Sequence, residues 1–273
     1  MTAKASAPAQ TESHQNARQR FAGRVAIVTG GGQGIGRATC EALAGEGAAV
    51  VVAERNAETA VEVARAIEAA GGQALAVPTD VADEASIVRM VAAAMERFGR
   101  IDVLVNNAAV FILRGIDATV EEWQQILAVN VIGPALCAKH VVPHMKRQGA
   151  GAIVNLGSIS SFIAQPEFVT YNTTKGAIAQ MTRCMALDLA PHKIRVNAVC
   201  PGTIWTSIVQ QRAAERGLDR AAADKHPDFG ASHMIERCAE PAEIARAILF
   251  LASDDASFVT AECLMVDGGY VAR

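Results

Sequence analysis

Tyr171 and Lys175 stand four residues apart in the chain, a spacing that stacks two side chains on one helical face about one turn apart. A phenol of pKa ~10 is a poor base at neutral pH, but a neighbouring ammonium favours its ionised form, and a shift of ~2 units needs only ~3 kcal/mol. The pair therefore has the chemistry of a tuned acid–base. Upstream, the apolar run Ala152–Leu156 breaks at Gly157-Ser158, which places the Ser158 hydroxyl where a buried strand gives way to a loop. Alone, Tyr-x-x-x-Lys describes equally well a half-buried tyrosine beside a solvated lysine, and a serine after a strand is more often a turn residue than a catalyst. The elements around them must decide.

Arg24–Thr29 reads as a fully buried strand, and Gly30-Gly31-Gly32-Gln33-Gly34-Ile35-Gly36 leads from it into a helical pattern ending near Gly45. Strand, glycine loop and helix make an anion site, because glycines let backbone approach a pyrophosphate and the free N–H groups of a helix start bind it. A lone glycine loop is a weak signal. A second strand, Ala48–Ala53, ends at Glu54, where an acidic group reaches an adenosine ribose. The alternation continues with a helix over 57–70, a strand over 74–77 closed by Pro78-Thr79-Asp80, a helix over 83–98 and a strand over 101–105 running into Asn106-Asn107. A long helical stretch, Val120–Gln148, carries Asn130 inside it. The helix of Tyr171 extends to Leu189, followed by a strand over 194–199, Pro201-Gly202, a helix over 241–251 and a last strand near 264–266.

Strands alternating with helices imply one domain, residues 21–273, built as a Rossmann-type, doubly wound parallel α/β sheet with ligands beyond the carboxyl ends of its strands. Asp80, Asn106 and Ser158 fall at such ends. Residues 1–20 hold little to bury and read as a disordered extension. The polar stretch 203–237 reads as a lid, with Trp205 and Gln165 among the groups shaping the pocket.

The 273 residues are 51% hydrophobic with a formal net charge of −3, which supports a sizeable core and argues against a nucleic-acid face. No apolar run reaches the ~20 residues of a membrane span, and no signal peptide is evident. Six scattered cysteines read as reduced core thiols, not a zinc site, so the expectation is a cytoplasmic protein acting on a small molecule without a metal.

In order along the chain, Thr29-Gly30-x-x-x-Gly34-Ile35-Gly36, Asn106-Asn107-Ala108, Asn130, Ser158, Tyr171-x-x-x-Lys175 and Pro201-Gly202 resemble the motifs of the short-chain dehydrogenases/reductases, over essentially 21–273. Ala109 departs from the pattern, since the family usually has glycine there. The resemblance implies that Tyr171 is the general acid–base, that Lys175 lowers its pKa and holds the nicotinamide ribose, that Ser158 binds the substrate oxygen, and that Asn130 holds a water linking Lys175 to solvent. It also implies cofactor contacts at Gly30, Gln33, Gly34, Ile35, Gly36, Glu54, Asp80, Val81, Asn107, Tyr171, Lys175, Pro201, Gly202, Ile204 and Thr206, and a homotetramer. Glu54 would repel the extra phosphate of NADP, and Gln33 stands where NADPH-dependent relatives often carry arginine; the expected cofactor is NAD, with NADP less favoured. The expected reaction is oxidation of a polar cyclic or sugar-derived secondary alcohol. The alternatives are an NADPH-dependent 3-oxoacyl thioester reductase and, from another class, a non-catalytic dinucleotide sensor.

Overall fold

Seven runs of β-branched and small apolar residues form the strands β1 Val25–Thr29, β2 Ala49–Glu54, β3 Gln73–Pro78, β4 Val103–Asn106, β5 Gly151–Leu156, β6 Ile194–Pro201 and β7 Cys263–Val266. In the computed structural model, which describes residues 19–273, they form one parallel sheet in the order β3-β2-β1-β4-β5-β6-β7. Alternate residues of each strand feed opposite layers. Val28 and Val52 pack with Leu43 and Ile248 of helices α1 Gly34–Gly45 and α9 Pro241–Ala252. Ile27 and Ile153 pack with Met90, Val141 and Leu189 of α3 Glu84–Phe98, α5 Gly133–Gln148 and α6 Val169–Leu189. Helix α2, Ala57–Ala69, covers the same face as α1. The strand order reverses between β1 and β4, and at such a point the loops diverge and leave a crevice beyond the strand ends.

The helical stretch 120–148 is not uniform. It consists of α4 Val120–Leu127, a widened π-type turn Ala128–Ile132 and α5. The stretch has the length read from the sequence, 29 residues, but with a mean hydropathy of 1.5 over an 18-residue window it comes closer to a membrane span than expected. That composition would suit a membrane span. Here the apolar face, Cys137, Ala138, Val141 and Met145, is buried against the sheet and α3, which is what a doubly wound fold asks of a core helix.

The extension expected over 1–20 lies outside the described residues for 1–18. Arg20 belongs to the folded body, with its guanidinium on Glu46 at 2.5 Å and on Asp255 at 3.0 Å. The polar stretch 203–237 is more regular than its composition suggests. It forms α7 Ser207–Ala214 and α8 Arg220–Lys225 around a small core of its own, Ala213, Ala223, Phe229 and Cys238.

Candidate active site

β5 ends at Leu156, and Ser158 follows as the cap of a short 3-10 turn, its Oγ accepting the Ser160 N–H at 3.1 Å. Across from it, α6 turns Tyr171 and Lys175 inward, and both are buried. The Ser158 hydroxyl faces the phenol. Lys175 Nζ donates to the Leu156 carbonyl at 2.7 Å and stands 5.6 Å from the centre of the Tyr171 ring. Strand end, turn and helix thus bring Ser158, Tyr171 and Lys175 to one point, and the i+4 spacing does what it promises.

The electrostatics differ from the expectation. Burial holds the Tyr171 phenol well above its ordinary range, with only a partial offset from Ser158. Burial also pulls the Lys175 ammonium down to about 8. Desolvation penalises both charged forms, a cost that the spacing argument does not include. Phe111 stacks on Tyr171 with centroids 4.9 Å apart and planes 19° apart, and Phe168 meets it edge-on at 6.3 Å. Phe168 was legible in principle, since it lies three residues before Tyr171, at the start of the same helix. Phe111 comes from an irregular loop and carries no such signal.

Asn130 is buried in the π-type turn, where widened turns often mark function, and its hydrogen bonds go to protein. Its Oδ1 accepts the Val110 N–H at 2.8 Å; its Nδ2 donates to Val110 O at 3.0 Å and to Thr174 Oγ1 at 3.3 Å. None of these bonds reaches Lys175. The direct role visible here is a clamp on the loop that delivers Phe111. Gln165 also lies close: its Oε1 accepts from Ser160 Oγ at 2.6 Å, tying the segment before Phe168 to the turn after Ser158.

At the crevice, Gln33 precedes α1 without giving a side-chain cap, so the N–H groups of Gly34, Ile35 and Gly36 lack intrahelical partners. A Cβ on Gly36 would lie 2.0 Å from Gly30 O, and Gly30 has φ +63°. Only glycine permits that close loop. Asn107 serves the loop rather than pointing away from it: its Nδ2 donates to Thr29 O at 3.0 Å and Gly30 O at 2.9 Å. Glu54 ends β2 with Oε2 accepting the Gly32 N–H at 3.2 Å and Oε1 accepting the Asn56 N–H at 3.1 Å, which holds its carboxylate against the loop. Asp80 Oδ1 accepts from Ala82 N–H at 2.9 Å, and Val81 is turned into the core against Gly133. Pro201 ends β6, Gly202 N–H donates to Val266 O at 3.1 Å, Ile204 is buried, and the Thr206 methyl approaches Gly34. A cleft of about 350 Å³ lies between the loop and the lid, lined by Gln33, Gly34, Trp205 and Thr206. Ala109, the departure from the family pattern, is not among the residues with positive φ, so alanine fits there without strain.

An uncapped helix start, a loop closed to side chains and a carboxylate at the end of β2 fit a dinucleotide: pyrophosphate on Gly34–Gly36, adenosine ribose on Glu54, nicotinamide ribose towards Tyr171 and Lys175.

The family described as enoyl-(acyl carrier protein) reductase matches residues 30–271. The chain is 44% identical over 256 residues to cis-4-hydroxycyclohexanecarboxylate dehydrogenase of Sinomonas cyclohexanicum, covering 93% of this chain and 99% of the relative. The chain is a short-chain dehydrogenase/reductase. Meso-2,3-butanediol dehydrogenase of Serratia marcescens is 36% identical, over 93% of this chain and 96% of that one. A solved short-chain dehydrogenase/reductase from Mycobacterium marinum superposes with a TM-score of 0.85 at 33% identity, covering 93% of this chain and 97% of the other. The family is one of nicotinamide-dependent oxidoreductases acting on CH–OH groups. Trp205, expected to shape the pocket, packs against the small core of the 203–237 segment with Arg220 5.0 Å from its ring, and it also lines the cleft beside Gln33.

Proposed function

We propose that this short-chain dehydrogenase/reductase is a cytoplasmic, NAD-dependent enzyme that oxidises a cyclic secondary alcohol to its ketone. The observation that carries the reading is the convergence of Ser158 and Lys175 on Tyr171, whose ring lies against those of Phe111 and Phe168. An alcohol in that space meets a proton acceptor and a hydroxyl donor at its oxygen and apolar surface around its carbon skeleton. Oxidation removes a proton from oxygen, taken by the phenolate form of Tyr171, and a hydride from carbon. Ser158 donates a hydrogen bond to the developing oxygen charge. When bound, oxidised nicotinamide supplies the hydride acceptor and a positive charge that favours the phenolate. Lys175, anchored on Leu156 O, holds its own charge within reach of the phenol.

Glu54 supports NAD, because its carboxylate accepts ribose hydroxyls but would face a 2′-phosphate at close range. The cyclic skeleton is supported by the relative named for cis-4-hydroxycyclohexanecarboxylate. A second reading, NADPH-dependent reduction of a 3-oxoacyl thioester, draws on Arg55, exposed directly beside Glu54, and on the acyl-carrier description of the family. Turnover of cis-4-hydroxycyclohexanecarboxylate and cyclohexanol with each cofactor separates the two. The expected kcat/KM favours NAD by about tenfold, ~1.4 kcal/mol, and Glu54→Ala shrinks that ratio; a preference for NADP overturns the assignment. A homotetramer is part of this proposal, supported by Val169 and Leu187, which leave apolar surface exposed along α6. Sedimentation at micromolar concentration yielding only a 28.6 kDa species would remove it.

A further inference from the structure

The lid carries four arginines, and three have acid partners. Arg216 pairs with Asp228, Arg220 with Asp224 and Glu240, and Arg237 with Glu243. Arg212, in α7, has no acid within ion-pair distance among the described residues, although it is only half-exposed. Its one close partner is aromatic: the guanidinium carbon lies 5.9 Å from the centre of the Phe168 ring, and Phe168 in turn meets the Tyr171 ring at 6.3 Å. The cation therefore stands beside Phe168, one of the two rings that lie against Tyr171. Asp228, whose carboxylate feels the Arg212 charge at longer range, is held by Arg216.

A partly desolvated guanidinium is left without a counter-ion where an incoming ligand can supply one, and its planar fork matches a carboxylate. We propose that Arg212 is the receptor for a carboxylate carried by the alcohol substrate, at the opposite end of an apolar body from its hydroxyl. Tyr171 and Ser158 hold the hydroxyl, Phe111 and Phe168 hold the ring, and Arg212 sets which end enters. Because Arg212 belongs to the lid and Phe168 caps the start of α6, the anion would also tie the lid to the catalytic helix. This inference rests on the reading of Tyr171 as the acid–base.

The test separates recognition from chemistry. Binding of cyclohexanecarboxylate and of its neutral carboxamide is measured by calorimetry on the wild type, Arg212→Met, Arg212→Lys and Arg216→Met, each saturated with NADH. Alongside, kcat/KM is measured for 4-hydroxycyclohexanecarboxylate and its carboxamide. The wild type is expected to prefer the acid by tenfold or more, the scale of one charge-assisted hydrogen bond. Arg212→Met abolishes the preference in both measurements, Arg212→Lys restores part of it, and Arg216→Met, whose guanidinium Asp228 already holds, keeps it. Equal binding of acid and amide by the wild type, or a preference that survives Arg212→Met, overturns the proposal. A protein that binds the acid selectively through Arg212 but oxidises neither hydroxy compound would uphold it while overturning the proposed reaction.

Discussion

The catalytic corner and the lid are both rich in polar contacts, but they are built from different kinds. In the corner, Lys175 on Leu156 O, Asn130 on Val110 and Asn107 on the glycine loop are short bonds between buried or half-buried side chains and backbone. In the lid, the contacts are mostly exposed arginine–carboxylate pairs around a core of four residues. A buried donor or acceptor that loses its partner costs its full desolvation, whereas an exposed ion pair contributes about 0–1 kcal/mol and is screened by salt. The corner is thus held in one geometry, and the lid is held by contacts that exchange readily with water.

The sharpest way to break the corner is Tyr171→Phe. The ring and its stacking on Phe111 remain while the proton carrier goes, so kcat is expected to fall by ~10²-fold or more with dinucleotide binding nearly intact. A Phe variant keeping more than about a tenth of wild-type kcat would remove Tyr171 from its role. Next in size is Gly36→Ala. The added methyl meets Gly30 O at 2.0 Å, so the loop must open, and dinucleotide affinity measured by fluorescence titration is expected to drop about tenfold or more, while kcat at saturation changes less.

Smaller effects separate the two regions by pH. Burial lowers Lys175 from 10.5 to about 8, so between those values the unfolded chain binds a proton that the folded chain has shed, and stability rises with pH across that window. Lys175→Met should flatten the rise in melting temperature; an unchanged slope would mean the lysine is not desolvated as described. The lid has its own buried base. His233 Nε2 accepts the Thr203 N–H at 3.0 Å and Nδ1 faces Gly230 O at 3.2 Å, an arrangement that requires the neutral ring. Burial pulls its pKa below 6.5, with Asp267 opposing. Stability from the neutral ring is therefore full above pH 6.5 and is lost as pH falls below it. His233→Gln should shrink that acid loss, and an acid limb identical to wild type would refute the latch.

The smallest effect is expected from salt. Hydrogen exchange over 203–237 should quicken between low and high ionic strength and slow when NAD and substrate are added, with α6 unaffected by salt. A lid as salt-insensitive as α6 would erase the contrast between the regions.

Much of the corner was legible in the chain because its determinants are local. Apolar periods mark the strands and α6, the glycine run marks the turn into α1, and a spacing of four places Tyr171 and Lys175 on one face. All of these are properties of a single element or of two joined directly. What the sequence by itself determined was therefore the alternating α/β architecture, the glycine loop with Glu54 beyond the next strand, and the identities of Ser158, Tyr171 and Lys175. Only the tertiary structure decided which way the acidity of Tyr171 moves, because its burial depends on neighbours from distant parts of the chain, as the ring of Phe111, 60 residues earlier, illustrates. It alone showed Asn130 clamping Val110, His233 accepting the Thr203 N–H within the 203–237 segment, and Arg212 without an ion-pair partner beside Phe168. Desolvation and charge pairing depend on which distant side chains meet, and no period or spacing along one element records that.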